Sequence, residues 1–385
     1  MATKRVFSFM QRPINKTLRI ATRNILYSGA APSFGAFCPM LQFPIVDVET
    51  LRRGSAMQRR EVVGTLGRAC RETGFFCVSG HGISSASKAA LFQSSRQFFG
   101  LPLDRKQELS IALSPHNRGY VGMEAERLNA ADRPDRKEAF NIGLEMDANH
   151  REIVEQRPLR GINFWPALPG WRDTMLAFYN QCLEVGRLLH RGFSLDLGVD
   201  ERFFDSKIEA PAAVLRLLHY PARTEPRAPT EQHPHTHQPG AGEHTDYGNI
   251  TLLATDGVAG LEVRQLDGTW VEVADTGDLL LCNIGDCLMR WTNDGYRSTP
   301  HRVRIPDAER YSIAFFLDPN PDAIVEPILG SPGDAPRYPP ITVREYLLGR
   351  LKATYGHLQS TIVLQSTEKA TPDARRDQDE QGECN

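Results

Sequence analysis

The most regular hydrophobic pattern lies in the middle of the chain. Between residues 171 and 197 an apolar side chain recurs at helical spacing, at Met175, Phe178, Cys182, Val185 and Leu189. This spacing places one apolar stripe along several turns of a helix. We therefore predict a helix over 171–197 that packs its apolar face against a sheet.

Short apolar runs separated by turn residues follow this helix. They have the length and composition of strands, and they cover 213–220, 249–254, 261–265, 270–273, 279–284, 301–305 and 311–317. Many evenly spaced short strands are typical of a sandwich or barrel. A last helix is predicted over 343–355.

The segment before the long helix has a different pattern. Strand character is found at 43–48 and 75–78, and helical character at 48–70 and 84–109. A break is expected in the second helical run at Gly100-Leu101-Pro102, because proline interrupts a helix interior. The N-terminal region is therefore predicted to be mostly helical, with short strands.

The composition limits the partners of the chain. Its 385 residues, 41% of them hydrophobic, suffice for one large domain or two closely packed ones. The formal charge of -2, from 45 basic and 47 acidic residues, provides no electrostatic argument for nucleic acid or a membrane surface. No apolar run reaches the roughly 18 to 20 residues that span a bilayer. A small-molecule substrate fits better, and no obligate protein partner is indicated.

The cysteines and the N-terminal segment bear on location. The seven cysteines are odd in number and form no CxxC pair, which favours buried, reduced thiols in a reducing compartment. Residues 1–40 carry basic but no acidic residues, as organellar presequences do. The alternatives are a disordered basic extension and a start at Met40. Cytoplasmic and mitochondrial locations both stay open, and residues 359–385 are expected to form a disordered tail.

Candidate metal ligands stand beside two of the predicted strands. His244-Thr245-Asp246 precedes the run 249–254, and in an extended chain His244 and Asp246 would project to the same side. His301 opens another predicted strand. Two imidazoles and one carboxylate on one face of an octahedron, with open positions opposite, form the arrangement that activates oxygen at Fe(II). On its own, the His-X-Asp motif is more often a surface histidine beside a helix-capping aspartate.

A second polar pair strengthens the interpretation. Arg310 and Ser312 are two residues apart at the head of a predicted strand, so they share a face. A guanidinium group binds a carboxylate in a bidentate manner, and a hydroxyl beside it adds a further hydrogen bond. The motif therefore suits a carboxylate ligand near the metal.

From about residue 42 to 355 the chain resembles the isopenicillin N synthase-like branch of the Fe(II)/2-oxoglutarate-dependent dioxygenases. The motifs that carry the resemblance, in chain order, are Phe43-Pro44-Ile45-Val46-Asp47, Gly74-Phe75-Phe76-Cys77-Val78, His81-Gly82-Ile83, Arg118-Gly119-Tyr120, His244-Thr245-Asp246-Tyr247-Gly248, Gly260-Leu261-Glu262-Val263, Asn283-Ile284-Gly285-Asp286, Trp291-Thr292-Asn293, Ser298-Thr299-Pro300-His301-Arg302-Val303 and Arg310-Tyr311-Ser312. The resemblance implies a mainly β protein with helices. Its double-stranded β-helix (jelly-roll) core would lie within 166–358, with backing helices, after a helical N-terminal region at 41–165.

The resemblance also implies the cofactors and their ligands. Fe(II) would be held by His244, Asp246 and His301, with 2-oxoglutarate as cosubstrate, O2 as oxidant and ascorbate as an optional reductant. The far carboxylate of 2-oxoglutarate would contact Arg310, Ser312 and, on the matching strand, Tyr220. Leu218 stands where many relatives have asparagine, which predicts a more apolar pocket wall. His219 would point away and be structural.

Two other histidine-containing or polar segments are less informative. His233, His235 and His237 lie in the Pro- and Gly-rich stretch 221–242, which lacks strand character and is read as a solvated loop or a lid rather than a metal site. His81 and the segment 283–286 are read as turn and packing elements.

The expected activity is oxidation, by default hydroxylation, of a small organic molecule, coupled to conversion of 2-oxoglutarate to succinate. The alternatives are an Fe(II) oxidase that does not use 2-oxoglutarate, a non-catalytic jelly-roll protein that binds a small acid, and a zinc hydrolase. Substrate-lining residues are expected within 118–120, 135–141, 221–242 and 314–316. No motif specifies the substrate.

Overall fold

In the computed structural model, residues 43–224, 238–330 and 333–354 are described. The basic segment 1–40, the histidine-rich segment 233–237 and the tail 359–385 lie outside these residues. What the sequence predicts for those three segments therefore stays a prediction.

Helices and short strands alternate in the N-terminal region. The strands are β1 (Ile45–Asp47), β2 (Phe75–Ser79), β3 (Gly119–Val121) and β4 (Glu138–Gly143). The helices are α1 (Val48–Arg53), α2 (Ala56–Glu72), α3 (Ser85–Phe99), α4 (Leu103–Gln107) and α5 (Arg151–Val154). The helical prediction over 48–70 is confirmed as two helices, because Ser55 starts α2 with a capping box to Gln58. The break at 100–102 is also confirmed, whereas β3 and β4 were not predicted.

The rest of the chain contains one long helix and most of the strands. These elements are α6 (Trp171–Asp196), β5 (Val214–Tyr220), β6 (Ala241–His244), β7 (Ile250–Thr255), β8 (Leu261–Arg264), β9 (Trp270–Glu272), β10 (Leu280–Ile284), α7 (Asp286–Trp291), β11 (His301–Val303), β12 (Arg310–Leu317), β13 (Ile324–Val325), β14 (Ile341–Thr342) and α8 (Val343–Thr354). All seven predicted strands of this region and both predicted helices are present. Strand β6 was not predicted.

Two sheets form the jelly-roll core. The larger has eight strands in the order β1-β2-β10-β7-β12-β5-β4-β3, and the smaller has four in the order β6-β11-β8-β9. A two-stranded sheet pairs β13 with β14. At the centre of the large sheet, β12 pairs antiparallel with both β5 and β7. The predicted fold class is confirmed.

Alternation along the strands of the large sheet separates two hydrophobic cores. Leu217 and Ile313 belong to the core shared with the helices, including α6. Their neighbours Leu218 and Ala314 belong to a second core shared with residues of the small sheet, such as Leu261. Successive side chains of a strand point to opposite faces. The space between the two sheets is therefore lined by every second residue of β5 and β12.

The described helices and cysteines agree with a globular core. No helix within 43–224, 238–330 and 333–354 is long and apolar enough to cross a membrane. The cysteines in these ranges are buried and form no disulfide with one another, at Cys70, Cys77, Cys182, Cys282 and Cys287. Their prediction as core residues is confirmed.

His190 on α6 should make stability depend on pH. Its buried ring accepts a hydrogen bond from Asn249 Nδ2 at 3.0 Å and donates one to the Gly186 carbonyl at 2.7 Å, so it is neutral. Burial lowers its pKa to about 4, below the usual 6.5. As pH falls through this interval only the unfolded chain takes up the proton, which lowers the free energy of unfolding by about 2 kcal/mol at pH 5.

Denaturant titrations at pH 7 and pH 5 measure this contribution. A His190→Gln variant should lose less free energy of unfolding between the two pH values than the parent protein. Equal losses in both proteins would contradict the role given to His190.

Candidate active site

The two histidines of the predicted triad lie on paired strands of the small sheet. His244 is the last residue of β6, His301 is the first of β11, and the two are directly opposite in the antiparallel register. Asp246 follows two residues after β6. The prediction that His244 and Asp246 project to the same side and that His301 joins them agrees with this arrangement, because the three residues come together.

The three side chains form a compact group of potential metal ligands. Nε2 of His244 lies 3.8 Å from Asp246 Oδ1, and Nε2 of His301 lies 3.7 Å from the same oxygen. Within the described ranges, one ligand atom from each residue lies within 4.8 Å of the others. Two imidazoles and a carboxylate at this separation could hold a divalent metal.

Backbone carbonyl groups orient both imidazole rings. Nδ1 of His244 donates to the carbonyl of Gly242 at 2.7 Å, and Nδ1 of His301 donates to that of Thr299 at 3.1 Å. A carbonyl oxygen can only accept a hydrogen bond, so these bonds place the proton of each ring on Nδ1. The lone pair of Nε2 is then available to coordinate a metal. Burial and the adjacent His301 lower the pKa of His244 to about 3, which keeps that ring neutral.

The carboxylate of Asp246 is held through its other oxygen. Oδ2 accepts hydrogen bonds from Asn283 Nδ2 at 2.7 Å and from Thr251 Oγ1 at 2.5 Å, while Oδ1 is directed to the imidazoles. Burial raises the pKa of Asp246, but His301, His244 and these two donors outweigh it and lower the pKa. The group is therefore a fixed carboxylate with one oxygen left for a metal.

The loop that carries Asp246 packs against the start of α7. The amide of Asp286 donates to the carbonyl of Asp246 at 2.7 Å, and the Asp286 carboxylate accepts from Thr245 Oγ1 at 3.0 Å. A side chain at Gly285 would collide with the carbonyl oxygen of Gly248. Glycine is needed at 285 because the two backbone segments touch.

A buried arginine lies on the inner face of the large sheet. Arg310 is 1% exposed, opposite Tyr220 in the register of β12 and β5. Its guanidinium lies 5.0 Å from the centre of the Tyr220 ring, and it donates to Ser312 Oγ at 3.1 Å and to the Val258 carbonyl at 3.2 Å. The predicted common face of Arg310 and Ser312 is confirmed, as is that of Leu218 and Tyr220.

The charge of Arg310 is only partly compensated by its described surroundings. It forms no ion pair with any carboxylate in the described part of the chain. Burial lowers the pKa of Arg310, while Tyr220 and Asp256 oppose that change. An arginine stays protonated at neutral pH even so. A buried cation without a counter-charge is costly, so this position favours binding of an anion.

One pocket between the two sheets contains both groups. It is lined by the triad, by Arg310, Ser312, Leu218 and Tyr220, and by residues of the predicted substrate segments: Arg118, Lys137, Asn141, Ala241, Ala314 and Phe316. Tyr120 departs from the prediction, because its hydroxyl donates to Glu138 at 2.6 Å. Leu347 and Leu351 of α8 also line the pocket and were not predicted.

Buried charges connect the N-terminal region to the strand of His244. The amide of Gly242 donates to Asp135 Oδ1 at 3.0 Å, and Asp135 also pairs with Lys137. Lys137 lies 3.3 Å from Glu126, which pairs with Arg216 at 2.5 Å. The part of the pocket wall that contains Glu126, Lys137 and Arg216 is thus polar and ordered by ion pairs.

Family models match both parts of the chain. One, described as non-haem dioxygenase in morphine synthesis N-terminal, matches residues 43–168. The other, for the 2OG-Fe(II) oxygenase superfamily, matches residues 211–319.

Whole-chain relatives agree with these matches. The 2-oxoglutarate-Fe(II) type oxidoreductase hxnY of Emericella nidulans is 34% identical over 325 residues, which are 82% of this chain and 91% of the relative. The homoarginine-6-hydroxylase 2-ODD-233 of Oryza sativa subsp. japonica is 34% identical over 304 residues, covering 77% and 90% of the two chains. The chain belongs to the 2OG-Fe(II) oxygenase superfamily.

A solved structure extends the agreement to the fold. A full-length Neurospora crassa protein in complex with alpha-KG and thymine matches with a TM-score of 0.70 and 31% identity, covering 81% of this chain and 96% of that one. The protein is therefore a 2-oxoglutarate-dependent Fe(II) dioxygenase, and Fe(II), 2-oxoglutarate and O2 are its cofactors and cosubstrates. The alternatives of a non-catalytic binding protein, a zinc hydrolase and a 2-oxoglutarate-independent oxidase receive no support.

Within this oxygenase, Asn283 has a role that the sequence reading missed. The segment 283–286 is predicted to be a turn and packing element, and this prediction fits the positions of Gly285 and Asp286. For Asn283 the prediction was wrong, because its side chain donates a hydrogen bond to Asp246 Oδ2. His81 does belong to a turn, where its ring accepts from the amide of Ile83 at 3.1 Å. His219 is structural as predicted, with Nδ1 donating to Glu138 at 2.8 Å.

Replacing Asn283 with alanine should weaken the metal site. The change leaves Asp246 with one supporting donor in place of two, and loss of such a partner costs about 10- to 100-fold in metal affinity or activity. Fe(II) titration under anaerobic conditions measures the affinity. Asn149→Ala, in an exposed turn, is the matched control and should bind Fe(II) like the parent. Parent-like affinity in Asn283→Ala would contradict the positioning role.

Proposed function

We propose that this oxygenase hydroxylates a small, polar organic molecule and that His244, Asp246 and His301 hold the Fe(II). The short distances between the three potential ligand atoms support the assignment. So do the unprotonated Nε2 atoms of both histidines and Asp246 Oδ1, which is directed towards them. When bound, Fe(II) would activate O2, the oxidant, while 2-oxoglutarate would supply two electrons and leave as succinate and carbon dioxide. The side chains of the chain contribute orientation and exclusion of water.

The observation that carries the proposal is the buried guanidinium of Arg310, which lies in the same pocket as the triad and forms no ion pair with a carboxylate of the described residues. A dicarboxylate would place one carboxylate against Arg310 and Ser312, where it receives charge-assisted hydrogen bonds. Tyr220, which packs against the guanidinium, would hold the same group from the neighbouring strand. The pocket therefore offers two anchoring points, the metal triad and the pair of Arg310 and Ser312. They match a ligand that binds the metal at one end and is anionic at the other.

The class of substrate is proposed from the pocket and from the relatives. One relative is named a homoarginine hydroxylase, and a neighbouring structure contains thymine. Both molecules are small and rich in N–H groups. In this chain the wall formed by Asn141, Lys137, Glu126 and Arg216 is polar, while Phe316 offers an aromatic surface. A small molecule with both a flat or apolar part and polar groups fits such a pocket.

Succinate formation tests the proposal. Protein loaded anaerobically with Fe(II) is exposed to O2 and 2-oxoglutarate, with a panel of small polar molecules added singly, and succinate is quantified. We expect succinate that depends on both Fe(II) and 2-oxoglutarate and that increases with the molecules the pocket accepts. Absence of succinate under every condition would contradict the proposed function.

A further inference from the structure

Asp318 is a buried carboxyl group on the wall of the active-site pocket. It follows directly after β12, is 8% exposed and lines the same pocket as the metal triad. Its Oδ1 atom is buried and has no hydrogen-bond partner in the described part of the chain. Buried polar atoms in folded proteins are normally hydrogen-bonded, so an exception on a pocket wall points to a ligand.

The backbone makes room for this carboxyl group. A side chain at Gly248 would occupy the place of Asp318 Oδ1, so the carboxyl lies against the backbone two residues after Asp246. Burial, with a smaller contribution from Asp246, raises the pKa of Asp318 to about 7. The carboxyl group is therefore held in a weakly solvated position beside the loop that carries Asp246.

No side chain in the described part of the chain donates to Asp318 Oδ1, although Tyr179, Cys287 and Tyr346 lie close enough to interact electrostatically with the carboxyl group. Phe316, two residues earlier on the same face of β12, and Leu347 and Leu351 of α8 line the same pocket and are apolar. They give the ligand an apolar surface but no donor. The molecule that occupies the pocket can supply such a donor.

We propose that Asp318 is a substrate-binding residue that accepts a hydrogen bond from an N–H or O–H group of the substrate. This inference rests on the proposed function, since it assigns the substrate end of the same pocket. It narrows the substrate class to molecules that present such a donor next to a flat or apolar skeleton. Analogues in which the donor is methylated should be poor substrates, because binding them would leave the carboxyl unpaired.

Matched pairs of probes test the assignment. Thymine and 1,3-dimethylthymine share a ring but only the first has N–H groups, and homoarginine and its fully N-methylated counterpart form a cationic pair. With Fe(II), 2-oxoglutarate and O2 present, at least one N–H probe should stimulate succinate formation, and its methylated partner should stimulate it at least about tenfold less. Equal stimulation within the pairs, or none by any N–H probe, would overturn the assignment.

Variants of Asp318 measure how much this side chain contributes to the response to the probes. Asp318→Leu should lose the stimulation by the N–H probe at least about tenfold, while Asp318→Asn, which keeps an acceptor oxygen and almost the same size, should retain part of it. Asp104→Asn and Asp104→Leu, at an exposed position on α4, are the matched controls and should behave like the parent. Full stimulation in Asp318→Leu would overturn the proposal.

Two further readings distinguish the possible failures. Anaerobic binding of 2-oxoglutarate shows whether each Asp318 variant still folds and keeps its metal site. If the parent protein forms succinate but the Asp318 variants respond to probes as it does, only the role of Asp318 is refuted. If the parent forms no succinate at all, the proposed function fails as well.

Discussion

An Asp246→Ala variant should form no succinate above the level of metal-free protein. The change removes the carboxylate from the group of three ligands and leaves the donors of Asn283 and Thr251 without their acceptor. Two neutral imidazoles alone give no charge compensation for Fe(II), and hard divalent cations favour carboxylate oxygen. Both Fe(II) affinity and turnover are therefore expected to collapse together.

The matched control for this variant is Asp267→Ala. Asp267 lies in an exposed turn, where it accepts from Thr269, so its removal should leave Fe(II) binding and succinate formation at the parent level. Thermal unfolding of both variants checks that the fold is retained. Parent-like succinate formation by Asp246→Ala would exclude Asp246 as an iron ligand.

An Arg310→Ala variant should require far more 2-oxoglutarate. Loss of one partner of a buried, hydrogen-bonded charge pair costs about 2–5 kcal/mol, which is roughly a 30-fold to several-thousand-fold loss of affinity. The loss should appear in KM for 2-oxoglutarate, while Fe(II) affinity stays close to that of the parent. Steady-state succinate formation at increasing 2-oxoglutarate concentration measures the effect.

Two further variants test the reason for the loss. Arg310→Lys keeps the charge but not the planar fork, so its KM for 2-oxoglutarate should lie between those of the parent and Arg310→Ala. Arg337→Ala, an exposed arginine paired with Asp294, should leave KM unchanged. An unchanged KM in Arg310→Ala would show that the carboxylate binds elsewhere.

The strands that carry the site were predictable where local pattern and burial agree. Strand β12 alternates between the helix-side core, with Ile313 and Phe315, and the pocket side, with Ser312 and Ala314. This alternation is visible in the sequence, so the common face of Arg310 and Ser312 could be inferred correctly. The same holds for Leu218 and Tyr220 on β5, because period-two alternation depends only on the backbone.

Other strands could not be predicted, because tertiary pairing overrides their local composition. Strand β6 has the sequence Ala-Gly-Glu-His after a proline and a glycine, which is typical of a turn, and it is a strand because it pairs with β11. Strand β4 is buried throughout although it begins with Glu138. That carboxylate is satisfied by Lys106, Tyr120 and His219 from distant parts of the chain.

The supporting residues of the site were hidden for a related reason. Asn283 and Thr251 lie within ordinary strand patterns, and only the three-dimensional structure brings their side chains to Asp246. Asp318 directly follows a strand whose register was predicted, yet its lack of a partner depends on the packing of Gly248. Ligand types can be read from a sequence, whereas hydrogen-bond partners distant in sequence cannot.

The most direct test of the central claim is an anaerobic titration of the Fe(II)-loaded protein with 2-oxoglutarate, followed by the visible charge-transfer absorption of the Fe(II)–2-oxoglutarate complex. The site described above predicts one such complex per chain in the parent. It predicts none in Asp246→Ala, and in Arg310→Ala the complex should form only at much higher 2-oxoglutarate concentration. No absorption in the parent, or equal absorption in parent and Asp246→Ala, would contradict an iron and 2-oxoglutarate site built on His244, Asp246, His301 and Arg310.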